Sequence, residues 1–305
     1  MPQRLAGVFA PVITPFSADL SPDSHLLVRH CQWLLSQEVG LAIFGTNSEA
    51  NSLSVSEKRM LLDKLIEADI CPSLLMPGTG SCALSDAVEL TCHATELNCG
   101  GVLMLPPFYY KDVGNDGLYG FFSEVIQRVG DANLRIYLYH IPPIAQVEIS
   151  LSLIERLCTT YPDQIAGIKD SSGDWNHTRQ LNALGINDFR VFCGSESFLL
   201  RNMQAGGAGC ISATVNVNPA AIVRLFKNWQ SADAKLQQNQ LDTIRDLFQH
   251  FPMISALKTV TALYSDEPSW SRTRPPLVSL TSSQQQDLSQ ELALINFQMP
   301  NLQTE

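Results

Sequence analysis

Eight short runs of apolar residues recur along the chain, at 7–16, 41–44, 73–76, 101–105, 134–139, 165–169, 189–193 and 209–212. They are continuous rather than alternating, which is the pattern of strands buried on both faces. Each is followed by a segment of helical character, as at Leu26, Leu27, Cys31, Leu34 and Leu35. Helix starts are also legible. Ser21-Pro22-Asp23 offers a capping serine with proline at the first helical position, and Ser54 with Glu57 has capping-box spacing. Eight successive β–α units at intervals of roughly 30 residues or fewer predict an α/β fold, a (β/α)8 barrel of the TIM type. A doubly wound sheet is the runner-up, weakened by the missing GxGxxG after the first run. The reading divides the chain into a barrel over 1–230, which carries the active site, and a C-terminal helical extension over 231–305 packed on it. Further helical segments from 253 to 297 are broken by Ser271-Arg272-Thr273-Arg274-Pro275-Pro276.

In this architecture chemistry collects at the carboxyl ends of the strands. The sixth run, Ile165-Ala166-Gly167-Ile168, ends on Lys169 and runs into the polar loop Asp170-Ser171-Ser172-Gly173-Asp174. A buried ammonium is costly unless paired or neutralised, and a desolvated neutral amine is a nucleophile toward carbonyls. A lysine at a strand end can also simply snorkel to water. The fifth run ends in Tyr139, whose phenol can shuttle the protons that carbinolamine formation and dehydration require. The second ends in Gly45-Thr46-Asn47-Ser48, a turn rich in N–H and hydroxyl groups suited to a carboxylate. Tyr109 and Tyr110 follow the fourth. Each residue has a structural alternative: one of Tyr137 and Tyr139 as core, Thr46 and Asn47 as turn formers, Glu49 as a helix-start charge. Their joint placement at strand ends favours chemistry on a 2-oxo acid.

Composition narrows the partners. With 45% hydrophobic and 16% charged residues, the chain has material for a large core. A net charge of −10 argues against nucleic acid or an anionic membrane as partner. No apolar run reaches the roughly 18 residues of a membrane span. Met1-Pro2-Gln3-Arg4 leads directly into the first run without the pattern of a signal peptide, so the expected location is cytoplasmic. The eight cysteines are scattered, with no CxxC pair, and read as reduced, buried thiols. His25 and His30 are five apart, which does not suit a helical metal pair, so no metal site is expected.

Four motifs taken together resemble the dihydrodipicolinate synthase / N-acetylneuraminate lyase family of pyruvate-dependent class I aldolases, over about residues 5–280. They are Gly45-Thr46-Asn47-Ser48-Glu49, Pro107-Phe108-Tyr109-Tyr110, Tyr139-His140-Ile141-Pro142 and Gly167-Ile168-Lys169-Asp170, with Gly209-Cys210-Ile211-Ser212 fitting the eighth strand. The resemblance implies a Schiff base between Lys169 and pyruvate or another 2-oxo acid, with no cofactor beyond that covalent imine. It implies Tyr139 as proton donor and acceptor, and Thr46 and Asn47 as carboxylate ligands, with Thr46 also in a proton relay. Tyr109 would extend the relay, in many members across a subunit interface. The Ile211 carbonyl would border the pyruvate site, and a homotetramer built as a dimer of dimers is implied.

Departures shift the expected substrate. Tyr139-His140-Ile141-Pro142-Pro143-Ile144-Ala145-Gln146 lacks the arginine that binds the aldehyde partner's carboxylate in dihydrodipicolinate synthases. Asn47 stands at the second threonine of the family's G-T-T-G-E, Ser48 at its glycine and His140 at the usual asparagine. Ser48 is expected to change the loop's tolerance for positive φ. Gly194 and Ser195, with Glu196 and Ser197, are candidates for the hydroxyls of a sugar-acid-like substrate. The reading is therefore a class I carbon–carbon lyase or aldolase joining or cleaving a 2-oxo acid, with pyruvate and an aldehyde as partners. The alternatives are a true 4-hydroxy-tetrahydrodipicolinate synthase of lysine biosynthesis, and a barrel that binds 2-oxo acids without turnover. Dehydration of sugar acids also remains open, and a metal-dependent aldolase is disfavoured.

Overall fold

A computed structural model describes residues 4–302 of the chain. Among them are seven strands: β1 (Gly7–Ala10), β2 (Gly40–Leu41), β3 (Val102–Met104), β4 (Ile136–His140), β5 (Ile165–Asp170), β6 (Arg190–Cys193) and β7 (Gly209–Ile211). Every pairing described between them is parallel. Helices separate most of them, which makes the fold α/β, and further helices follow β7. The chain divides into two compact units.

The first unit comprises the residues up to Gly7 and Cys71–Ile211. Its strands run in the order β7-β6-β5-β4-β3. All five residues of β4 and all six of β5 are buried, the apolar runs as expected and with them His140, Lys169 and Asp170 at the strand ends. Gly167 sets how closely β5 approaches β6. A Cβ there would lie 2.2 Å from the Arg190 carbonyl oxygen, so any side chain would push the two strands apart.

The expected strand at 73–76 is corrected. Pro72–Leu74 forms a 3-10 turn, and pairing with β3 is reduced to a single parallel bridge, Gly78 with Leu103. The bridge is closed by Leu103 N–H to the Pro77 oxygen and Thr79 N–H to the Leu103 oxygen. Proline explains the loss. Pro72 sits where its fixed φ starts a tight turn, and Pro77 has no N–H to extend a ladder.

The second unit comprises Val8–Ile70 and the chain from Ser212 onward. Here β1 pairs with β2, Phe9 opposite Gly40 and Ala10 opposite Leu41. The expected start of the first helix is corrected. Pro22 bridges Phe16, and Asp23 caps the helix Ser24–Ser36 by accepting the Leu26 N–H at 3.0 Å. Asp is as good a cap as Ser, and a proline held in a bridge cannot also open the helix. The Ser54/Glu57 capping box forms as expected, opening Val55–Glu67. The C-terminal helices are Pro219–Lys227, Ala234–Gln249, Met253–Ser265 and Ser282–Leu294. None of the described helices is long and apolar enough to cross a membrane. The eight cysteines are free thiols; four are buried, but Cys71 and Cys82 are exposed.

Candidate active site

In the first unit Tyr139 and Lys169 are register partners on β4 and β5. Paired residues of neighbouring parallel strands project from the same face, so the two side chains meet. Lys169 Nζ lies 4.2 Å from the centroid of the Tyr139 ring. Both residues are buried, Lys169 only 2% exposed. Among the described residues Lys169 has no ion-pair partner; the ring face is the electron-rich surface its Nζ meets. A buried amine beside a phenol, held without a carboxylate, suits attack on a carbonyl with proton transfer close by. Tyr137, two residues earlier, serves the core. It is fully buried, its hydroxyl accepts the Leu5 N–H at 2.6 Å, and burial pushes its phenol up to about 12.

The next residue pair, His140 and Asp170, projects from the opposite face of the same two strands. There the His140 ring stacks on His177 with centroids 4.4 Å apart. Asp170 accepts the Thr178 hydroxyl at 2.6 Å and the Ser172 N–H at 3.0 Å. His177 Nδ1 lies 3.1 Å from the Asp170 carboxylate, off the line of a directed hydrogen bond, so the contact is an ion pair when His177 is protonated. Burial alone would raise the Asp170 carboxyl, but His177, Thr178 and Ser172 together hold it below the usual range. Asp170 in turn raises His177. Burial first, and the His177 charge second, push His140 down to about 4.

His140, Asp170 and His177 could present ligand atoms within 4.8 Å of one another, a cluster that sequence spacing did not reveal. The donor set does not fit a metal. The Ile149 N–H points at His140 Nδ1 at 3.1 Å, so that nitrogen presents its lone pair and Nε2 carries the proton. A protonated nitrogen cannot be a ligand. The group instead ties β4 and β5 to the segments that follow them.

The second unit holds Thr46 and Asn47. Thr46–Ser48 is one turn of 3-10 helix, closed by Gly45 N–H to the Ser48 hydroxyl at 3.1 Å and by Thr14 Oγ1 to the Ser48 carbonyl at 2.7 Å. Thr46 and Asn47 are half-buried; Ser48 is buried. The positive-φ positions of this loop are Phe44 (59°) and Glu49 (56°), not Ser48. Serine is therefore accommodated where the family pattern has glycine, and its hydroxyl closes the turn.

Glu49 is not a helix-start charge at the surface. Its side chain is fully buried, with Oε1 2.5 Å from Lys258 Nζ and Oε2 accepting the Arg274 N–H at 2.9 Å. Arg274 also grips Glu57 with two bonds, at 3.0 and 2.5 Å, which brings the Glu57 carboxyl down to about 2. Lys258 and Arg274 were not legible as partners of this loop, because 209 and 225 residues separate them from Glu49.

The remaining expected residues are placed as follows. Tyr109 is not brought against Lys169 or Tyr139; its ring is 74% exposed and packs edge-on against Tyr110. Ile211 ends β7 and is buried. Gly194 donates its N–H to the Asp170 carbonyl at 2.7 Å, and a Cβ there would lie 2.1 Å from the Ser171 hydroxyl. Its lack of a side chain is thus explained by packing against the end of β5. Ser195 accepts the Ser197 N–H and caps the turn Glu196–Phe198, where Glu196 is buried.

The family model described as "Dihydrodipicolinate synthetase family" matches residues 4–295, and the chain belongs to that family. A relative from Chloroflexus aurantiacus, called an uncharacterized DapA-like lyase, is 31% identical over 281 residues, covering 91% of this chain and 93% of its own. The crystal structure of dihydrodipicolinate synthase from Agrobacterium tumefaciens superposes with a TM-score of 0.86 at 29% identity, over 94% of this chain and 98% of that one. A prophage protein of the dihydrodipicolinic acid synthase family from E. coli K12, solved with pyruvate, gives a TM-score of 0.87 at 25% identity, over 96% and 99%.

Proposed function

We propose that the protein is a class I lyase or aldolase that forms a Schiff base between Lys169 and a 2-oxo acid, with pyruvate as one partner and an aldehyde as the other. The observation that carries this reading is the buried Lys169 amine over the Tyr139 ring, 4.2 Å from its centroid. In the proposed sequence the amine adds to the C2 carbonyl, and Tyr139 delivers and removes the protons that convert the adduct to carbinolamine and then, with loss of water, to iminium. In the cleavage direction the C4 hydroxyl gives up its proton, the C3–C4 bond breaks to release the aldehyde, and its electron pair passes into the iminium as an enamine. Protonation at C3 and hydrolysis by water then release pyruvate and regenerate the Lys169 amine, and condensation is the reverse. The Thr46–Asn47 turn holds the substrate carboxylate, with Thr46 in the proton relay, and the Ile211 carbonyl borders the pyruvate. Tyr109 extends the relay, its exposed ring being consistent with a role completed by another subunit of a homotetramer. The Gly194-Ser195 turn faces the second substrate.

The residues after Tyr139 favour an aldehyde partner other than that of the lysine pathway. Pro142–Ala145 is a helical turn that offers the exposed Ile144 where a synthase would carry its carboxylate-binding arginine. A 2-oxo-acid binder without turnover is the second reading; the pairing of Lys169 with Tyr139 weighs against it. The strong likeness to solved members supports closing the seven strands and the Leu75–Thr79 run into an eight-stranded barrel over 1–230, with 231–305 as the extension. We place the enzyme in the cytoplasm.

The test is borohydride reduction in the presence of pyruvate, followed by peptide mapping. A reduced pyruvyl adduct on Lys169 is expected. A folded protein that gives no adduct with pyruvate or with a panel of 2-oxo acids overturns the reading.

A further inference from the structure

The second unit buries a complete ion pair directly behind the Thr46–Ser48 turn, and the reaction as described does not use it. Lys258 and Glu49 are both fully buried. Lys258 lies on Met253–Ser265 among Ala256, Leu257 and Val260, all without solvent exposure, and its Nζ also lies 4.4 Å from the Phe16 ring. Taking both charges out of water is expensive, and a well-packed apolar pair of similar size is commonly as stable or more so. Stability alone therefore does not account for the pair. A carboxylate and an ammonium do what an apolar pair cannot: they fix one geometry.

The geometry fixed here belongs to Glu49. Its φ of 56° and ψ of 34° put a non-glycine residue in the left-handed region, which persists only when the surroundings determine it. Its N–H closes the Thr46 turn by bonding to the Thr46 carbonyl at 3.1 Å, and its own carbonyl receives the Ser52 N–H of the next turn at 2.8 Å. One carboxylate oxygen is held by Lys258 and the other by the Arg274 backbone. Residues from the C-terminal part of the chain thus hold both ends of the side chain whose backbone terminates the turn.

We propose that Glu49 and Lys258 are positioning residues for the carboxylate-binding turn. Through the Glu49 carboxylate, the helix Met253–Ser265 sets the backbone of Thr46 and Asn47, and with it the affinity for the 2-oxo acid rather than the reactivity of Lys169. The assignment of Thr46 and Asn47 to the substrate carboxylate rests on the proposed function.

Two readouts keep the two ideas separable. The first is amide hydrogen exchange of peptides covering 45–53, which needs no substrate. The second is the pyruvate concentration giving half-maximal borohydride labelling of Lys169. Lys258→Met should speed exchange in 45–53 and raise half-labelling pyruvate about tenfold, the equivalent of one charge-assisted hydrogen bond, with labelling at saturation unchanged. Because the single change strands a buried carboxylate, Glu49→Gln/Lys258→Met serves as the folding-competent variant. It should melt near the wild type and still show faster exchange in 45–53. Wild-type exchange in 45–53 for the folded double variant overturns the positioning role; so does wild-type half-labelling. If wild-type enzyme labels with no 2-oxo acid, the proposed function fails while exchange still decides the role of the pair.

Discussion

The two most deeply buried lysines among the described residues are Lys258, in the second unit, and Lys169, in the first; each lies over an aromatic ring, but only one is paired with a carboxylate. Lys258 is met by the Glu49 carboxylate at 2.5 Å; Lys169 is met by the face of Tyr139. Burial pushes the Lys258 ammonium down to about 8, even though Glu49 opposes the shift. A lysine held by a carboxylate is fixed to another part of the chain and has no reason to leave it. A lysine whose neighbour is a phenol keeps its amine free for an incoming carbonyl. The same residue type thus has a structural use in one unit and a proposed chemical use in the other, and the carboxylate distinguishes them.

The sharpest way to break this comparison is to remove each amine in turn. Lys169→Ala should abolish both turnover and borohydride labelling while the melting temperature changes little, because no ion pair is broken. Full activity in that variant would sink the mechanism. Lys258→Ala should do the reverse in kind: labelling should still map to Lys169, but the melting temperature should fall, since an uncompensated buried Glu49 costs about 3–5 kcal/mol. Next in size is Tyr139→Phe. It keeps the ring under Lys169 Nζ and removes only the hydroxyl, so loss of about 10²-fold or more in kcat would assign the effect to proton transfer rather than packing. Single-turnover rates with pyruvate would check it, and a rate within about twofold of wild type would show that the ring alone matters.

Lys169 and Tyr139 are legible because both terminate continuous apolar runs, and parallel strands bring their carboxyl ends to the same edge of a sheet; that the two are direct register partners is seen only in the structure. Tyr137 and Tyr139 were also separable in principle, since residues two apart share a face and only one sits at the strand end. The run at 73–76 reads as a strand because apolarity signals burial, whereas the prolines at 72 and 77 decide whether a ladder can form. The partners of Glu49 are not legible for a different reason. Its charge near a helix start has an ordinary local explanation, and nothing local announces a lysine 209 residues away. Lys258 sits in a helix that is apolar around it, the same anomaly that Lys169 presents at the end of its strand. The His140–Asp170–His177 group was invisible because each member is one or more residues past the end of an apolar run and the three meet only through the strand register.

That group allows a finer test of the first unit, since it lies on the backs of the strands that carry Tyr139 and Lys169. His140→Ala removes the acceptor of the buried Ile149 N–H, at a cost of about 1–3 kcal/mol. His140→Asn keeps an oxygen near the position of Nδ1 and should recover most of that stability. Melting temperatures of the two variants give the check. Equal losses would mean that ring stacking on His177, rather than the hydrogen bond, is what the site needs.

The smallest effect concerns pH, and its sign follows from the two histidines. His177 is raised in the folded state, chiefly by its contact with Asp170. Its contribution to stability is therefore fully present below the ordinary histidine value of about 6.5 and is lost as pH rises through the folded value. His140 works the other way. Between about 6.5 and 4 the unfolded chain takes up a proton that the folded ring refuses, so acidification over that range lowers stability. Replacing His177 by glutamine isolates the first effect. The melting temperature of wild type minus that of His177→Gln should be larger at pH 6 than at pH 8.5. A difference that is flat, or that grows with pH, would show that His177 is not charged against Asp170. The back of the Lys169 strand would then be held by the Thr178 and Ser172 bonds to Asp170 alone, without the ion pair that the Lys258 site requires.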